Sequence, residues 1–217
     1  MPPLAWGAGP LIAILDLEVS ERAGWTLTDL ASACLDGGAR SLQVRVKRGS
    51  SAAFLDIASR IVALAHAAGA VVVVNDRADI ARLCDADGVH VGQDDLSPVD
   101  VRRVVGPDAV VGLSTHTLSQ LQEAVAEPVS YVAVGPVFGT ATKDTGYDSI
   151  GLERVREAAG ITAPRGLPLV AIGGITLANA PDVIQAGATT VAVISDLLAT
   201  GDPAARVRAY LDRLSHV

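Results

Sequence analysis

Of the 17 basic residues in this chain, only Lys47 and Lys143 are lysines. Both follow short apolar runs instead of sitting in the Ala- and Arg-rich stretches where solubilising charge normally lies. An ammonium is a compact charge well suited to phosphate, so two lysines kept for such positions point to an anionic ligand. Gln43, Arg45 and Lys47 alternate through RSLQVRVK (40–47). A period of two places all three on one side of a strand. Burying two cations together costs several kcal/mol unless anions compensate, and a bound anion would supply that compensation. The competing register turns Leu42, Val44 and Val46 inward and leaves the polar row outside.

Asp76 ends the run VVVVND, and Asp95 follows DGVHV within GQDD. If these runs pair as neighbouring strands, about 4.8 Å apart, the two carboxylates can converge on a hard cation such as Mg²⁺. Magnesium takes few protein ligands and leaves its other positions to water and substrate phosphate. The alternative is that Asp76 caps the next helix and Asp95 is a solvated loop charge. His90 and His116 lack a spacing that would make either a clear base or metal ligand. His90 reads as a packed imidazole, and His116 either as a substrate contact or as a cap. Neither GxSxG nor HExxH occurs, which disfavours nucleophilic hydrolysis and zinc chemistry.

The elements that must position these groups are short Val-, Ile- and Leu-rich runs at about 11–15, 40–46, 70–75, 87–91, 109–114, 130–135, 167–172 and 189–194. Helical stretches are expected near 26–37, 51–68, 77–83, 97–104, 117–126, 150–158, 176–186 and 202–215. Eight strand-helix units predict a single-domain TIM (βα)8 barrel, with a doubly wound open sheet as the alternative built from the same alternation. Thr117, Thr176 and Asp202 stand where N-caps belong, and Gly38, Gly69 and Gly187 follow helices. In such barrels chemistry sits on the loops after the strands, and phosphate often binds after strands seven and eight. Gly173-Gly174 and Ile194-Ser195 fall there. The 136–149 connection is a candidate lid, and within it Thr140, Thr142 and Lys143 offer two hydroxyls and a cation to the same anion.

Half of the 217 residues are hydrophobic, 3% are aromatic and the formal charge is −7. That composition excludes a disordered chain. With no basic tract or aromatic stacking series, it also argues against nucleic acid. No apolar run approaches the roughly 20 residues needed to cross a bilayer, and the first residues do not resemble a signal segment. A cytoplasmic protein with small-molecule partners and no membrane association is expected. Cys34 and Cys84 read as buried structural thiols.

LQVRVK (42–47), VVND (73–76), VHVGQDDL (89–96), VGLSTH (111–116), VGPVFGTATK (134–143), VAIGGI (170–175) and VAVIS (191–195), in this order, resemble the thiamine phosphate synthase family. The resemblance spans about residues 11–198. It implies a TIM-barrel transferase that condenses 4-amino-2-methyl-5-(diphosphooxymethyl)pyrimidine with a thiazole phosphate, releasing diphosphate with Mg²⁺ required. By the same resemblance, Gln43, Arg45, Lys47, Asn75 and Lys143 hold the pyrimidine diphosphate, Asp76 and Asp95 the metal, and Ser114 the pyrimidine. Thr140, Thr142, Gly174, Ile194 and Ser195 would take the thiazole phosphate, with Arg45, Lys47, Ser114 and Lys143 as the catalytic set. Val46 stands where an acidic or polar residue is frequent, Gly139 replaces a usual Pro, and the first strand ends Ile-Leu-Asp16 in place of a Val-Thr-Asp type. None of these removes a charged ligand. A thiazole tautomerase of the same superfamily would have no use for a diphosphate-metal site. A non-catalytic barrel binding thiazole phosphate as a regulator would use the same residues, so only turnover separates it.

Overall fold

The structure is a computed structural model that describes residues 9–139 and 148–216. Thr140, Thr142 and Lys143, and with them most of the 136–149 connection, lie outside the described residues. Eight parallel strands close into a barrel in sequence order. They are β1 (Leu11–Asp16), β2 (Ser41–Arg45), β3 (Val71–Asn75), β4 (Gly88–Val91), β5 (Val110–Thr115), β6 (Tyr131–Val134), β7 (Leu169–Ile172) and β8 (Thr190–Val193). All eight expected runs are strands, and the open-sheet alternative falls because β1 pairs with β8.

Around the barrel lie α1 (Leu17–Arg22), α2 (Leu27–Asp36), α3 (Ser51–Ala67), α4 (Ala78–Leu83), α5 (Pro98–Val105), α6 (Leu118–Ala124), α7 (Gly151–Thr162), α8 (Ala180–Gln185) and α9 (Pro203–Leu214). Thr117 caps α6 through a reciprocal capping box with Gln120, and Asp202 caps α9. Two local readings need correcting. The six-residue α1 directly after β1 was not expected; Asp16, the last residue of the strand, caps it by accepting from the Val19 N–H at 3.0 Å. The helix expected from 176 starts instead at Ala180. Pro181 has no N–H to donate and its ring would clash four residues back, so it fits only the first turn of a helix.

Strand register decides which side chains meet. Ile14 pairs with Gln43, Gln43 with Val73, His90 with Gly112 and Gly112 with Tyr131. Successive side chains alternate faces, so these positions all turn into the barrel. Ile12, Ile14, Val73, Tyr131, Val170 and Ala192 pack there as a small inner cluster, and Leu42 and Val44 join the larger core between sheet and helices. The register with Leu42 and Val44 inward is therefore excluded.

Ser41 also turns inward by this parity. It is fully buried, and its hydroxyl has no hydrogen-bond partner among the described residues. An unmade buried hydrogen bond costs about 1–3 kcal/mol. Ser41→Ala is accordingly expected to leave stability unchanged or raise it in urea denaturation; a loss above about 1 kcal/mol would show that the hydroxyl is satisfied in solution.

Candidate active site at the barrel mouth

Gln43, Arg45, Asn75, His90, Ser114 and Tyr131 come from five successive strands, β2 to β6, and line one small interior well of about 40 Å³. His90 is 7% exposed, with Nε2 2.8 Å from Ser114 Oγ and Nδ1 2.9 Å from Tyr131 Oη. Its ring stacks on Tyr131 at 5.5 Å between centroids. Burial pushes the Tyr131 phenol well above its usual range, against the opposing pull of a hydrogen bond from Gln43. The phenol is thus neutral at physiological pH. Buried polar groups of this kind need partners, and this chain supplies them from residues far apart in sequence. His90 is a packed imidazole, as expected, but it also touches a candidate substrate residue. Tyr131 was missed altogether, because nothing in the local pattern of SYVAVG marks a polar contact.

Gly112 makes room for this pair. A Cβ there would run into the Tyr131 ring and hydroxyl and lie 2.5 Å from His90 Nδ1. Gly112→Ala must displace one of the two rings. It is expected to destabilise the fold by about 1–3 kcal/mol, as read by urea titration. A variant with unaltered stability would show that the well is softer than its packing implies.

Above the well, Arg45 Nη1 is ion-paired with the buried Asp16 carboxylate. Lys47 Nζ lies 2.5 Å from Asp76 Oδ2. This revises the charge argument: the two cations already have protein carboxylates as partners, so a bound anion is not needed to account for the row. Asp16, whose carboxylate is only 3% exposed, was also missed as a site residue. Its pairing opposite Arg45 follows from register and not from spacing.

Asp76 adopts φ 63°, and its N–H donates to the His90 carbonyl at 2.7 Å. A non-glycine residue in the left-handed region is strained and is often found at functional sites. Asp76 does not cap α4, whose N-terminus has no side-chain cap bond. Asp95, exposed, accepts from the Gly92 N–H at 2.7 Å in the loop after β4, while Gln93 Nε2 donates to the Ser114 carbonyl at 2.6 Å.

On the other side of the mouth a cavity of about 630 Å³ is bounded by Gly173, Gly174, Ile194, Ser195 and His116, and it shares Ser114, Ile172, Ala192 and Ile194 with the well. Gly173 and Gly174 have φ 97° and 63°. A Cβ on Gly174 would meet Gly139 O at 2.6 Å and Phe138 Cβ at 2.7 Å. Only glycine allows the turn after β7 to lie this close to the chain after β6. The Phe138 N–H donates to Gly173 O at 3.0 Å, and the Ile150 N–H donates to Pro136 O at 2.8 Å. Both flanks of the segment carrying Thr140, Thr142 and Lys143 are therefore bonded at this mouth. His116 does not cap α6, which Thr117 caps; its backbone N–H donates to Gln120 Oε1 at 2.8 Å, and its ring lines the cavity with Nδ1 2.6 Å from Gly135 O.

Cys34 and Cys84 are buried and unpaired away from this site, and burial raises the Cys34 thiol to about 12. Both are structural.

A closed parallel barrel with its polar groups gathered at the carboxyl ends of the strands defines the class, a (βα)8-barrel enzyme. The family profile described as thiamine monophosphate synthase matches residues 12–197. The chain belongs to this family and is a transferase. The thiamine-phosphate synthase of Roseiflexus castenholzii is 42% identical over 211 residues, covering 97% of this chain and 90% of that protein. The thiamine-phosphate synthase of Koribacter versatilis is 45% identical over 206 residues, covering 94% and 95%. Among solved structures, thiamine phosphate pyrophosphorylase from Pyrococcus furiosus superposes with a TM-score of 0.84 at 28% identity, covering 95% of each chain. No described helix is long and apolar enough to cross a membrane.

Proposed function

We propose that this chain makes thiamine phosphate by joining 4-amino-2-methyl-5-(diphosphooxymethyl)pyrimidine to a thiazole phosphate, with the pyrimidine over the opening of the well and the thiazole in the adjoining cavity. The observation that carries the reading is the contact between these two compartments. Ser114, Ile172, Ala192 and Ile194 border both, so two rings can meet there without solvent between them.

In this reading Gln43, Asn75 and Ser114 hold the aminopyrimidine. The Gln43 amide donates to the Tyr131 oxygen, which leaves the phenol hydrogen for His90 Nδ1. The His90 proton then sits on Nε2 and is donated to Ser114 Oγ, freeing the serine hydroxyl hydrogen to point at the ring. Arg45, Lys47 and Lys143 face the diphosphate. The bond from the exocyclic methylene to the diphosphate oxygen breaks, and its electron pair leaves with the diphosphate. The electron-rich aminopyrimidine supports the cation left behind, and the lone pair of the thiazole nitrogen forms the new C–N bond. No proton needs to be removed in this step. Catalysis then rests on alignment and on stabilising the departing anion, which suits a site that gathers cations. Gly174, Ile194 and Ser195, together with Thr140 and Thr142, take the thiazole phosphate.

The donor chemistry fits a divalent cation. Asp16, Asp76 and Asp95 outnumber Arg45 and Lys47 among the described groups on this side of the mouth, and Lys143 would only balance them. A diphosphate brought there alone would face protein carboxylates. Asp76 and Asp95 are hard oxygen ligands in the connections that follow the adjacent strands β3 and β4, and among the described residues no three metal-binding side chains converge, which leaves positions for water and phosphate oxygens in the manner of Mg²⁺. Bound there, Mg²⁺ would neutralise charge on the leaving diphosphate.

The test is to incubate the purified protein with Mg²⁺ and both phosphorylated heterocycles. Diphosphate release with formation of thiamine phosphate, stopped by chelation, is expected. Binding without turnover, or a shifted thiazole double bond without diphosphate, would overturn the proposal.

A further inference from the structure

On the thiazole side of the mouth lies a part-buried ionic cluster that takes no part in the chemistry proposed above, although Asp196 itself borders the cavity. Asp196, next to Ser195 in a short 3₁₀ turn (Ser195–Leu198), accepts from Arg206 Nη2 at 2.7 and 2.8 Å and from Arg206 Nε at 3.0 Å. Tyr210 Oη donates to the same carboxylate at 2.5 Å. Arg206 and Tyr210 are four residues apart on α9 and so share one face, with the guanidinium 5.8 Å from the Tyr210 ring centre. The carboxylate also accepts from the backbone N–H of Leu177 at 3.1 Å. Leu177 is three residues beyond Gly174. One side chain thus ties together the turn after β7, the turn after β8 and the last helix. The Asp196 and Arg206 side chains are 11% and 18% exposed.

A surface ion pair contributes little, but a buried charge with its hydrogen bonds filled is held rigidly and is costly to break. Gly173 and Gly174 bring no side chains of their own to fix the turn after β7. Its position relative to Ile194-Ser195 is therefore left to bonds that cross from one turn to the other, and the Asp196–Leu177 bond is one of these. A site that must place donors around a phosphate tolerates errors of well under an ångström.

We infer that Asp196 is a positioning residue, which through Leu177, Arg206 and Tyr210 sets the separation of the two turns that hold the thiazole phosphate. The inference rests on the proposed thiazole subsite. It predicts an effect mainly on one substrate: among the described residues, Gln43, Asn75 and Ser114, carried by β2, β3 and β5, make no bond to this cluster. A merely structural ion pair would lower stability and leave the two substrates alike.

The experiment is to measure binding of the thiazole phosphate alone by calorimetry, with KM for each substrate alongside, in the full chain and in Asp196→Asn, Arg206→Lys and Tyr210→Phe. Asp196→Asn is expected to weaken thiazole phosphate binding about tenfold or more, with KM for the pyrimidine diphosphate within twofold of wild type. Arg206→Lys keeps the charge but loses the two-pronged contact, and should fall between. If Asp196→Asn fails to fold, Tyr210→Phe, which removes a single oxygen, carries the test with an expected loss of about threefold or more. Wild-type binding in every folded variant would overturn the inference, as would equal changes for both substrates. A wild-type chain that binds no thiazole phosphate would overturn both this inference and the subsite on which it rests, a result distinct from the other two.

Discussion

Arg45→Ala is expected to lose about 10²-fold or more in turnover, the usual effect of removing one preorganised charge from a developing anion. It should also fold less stably by about 3–5 kcal/mol, since truncating one member of a buried ion pair strands the other. The stranded group is Asp16, 3% exposed and already committed to capping α1. These two losses have different origins and can be separated. Adding Asp16→Asn removes the uncompensated charge while keeping an oxygen for the Val19 N–H, so the double variant should regain stability in urea denaturation and remain slow in steady-state kinetics. Recovery of turnover together with stability would mean that Arg45 serves the fold and not the diphosphate.

Asp76→Asn should lower turnover by at least about tenfold and shift the dependence on magnesium to higher concentration. Asparagine is the informative substitution because it matches aspartate in volume and tolerates the left-handed backbone that Asp76 adopts at φ 63°. Only the charge is removed. Loss of that charge also releases Lys47 from its 2.5 Å contact, so diphosphate can still be attracted, and KM for the pyrimidine substrate should change less than the turnover number does. Titrating magnesium against rate in both proteins tests this. Matching curves with equal maximal rates would remove Asp76 from the metal site.

The strands were legible because both faces of a parallel barrel strand are buried, which makes each one a nearly unbroken apolar run. LIAIL at 11–15 became Leu11–Asp16, and AVVVVN at 70–75 became Val71–Asn75. The inward row of Gln43 and Arg45 was legible for the same reason, since a two-residue period needs no partner to be recognised. Short helices were harder to read. α1 has only six residues, too few for a helical period to show, and α8 begins where Pro181 permits.

By itself the sequence determined the alternation of strands and helices, the glycines at tight turns and the inward turn of Gln43 and Arg45, because these depend on neighbours within a few residues. Tertiary structure alone decided that Arg45 meets Asp16 across 29 positions and that His90 meets Tyr131 across 41. It also decided that Asp196 joins two turns to the last helix. Such contacts depend on which residues barrel closure sets opposite one another. A shift of one residue in pairing would send the strand-borne side chains among them to the other face of the sheet.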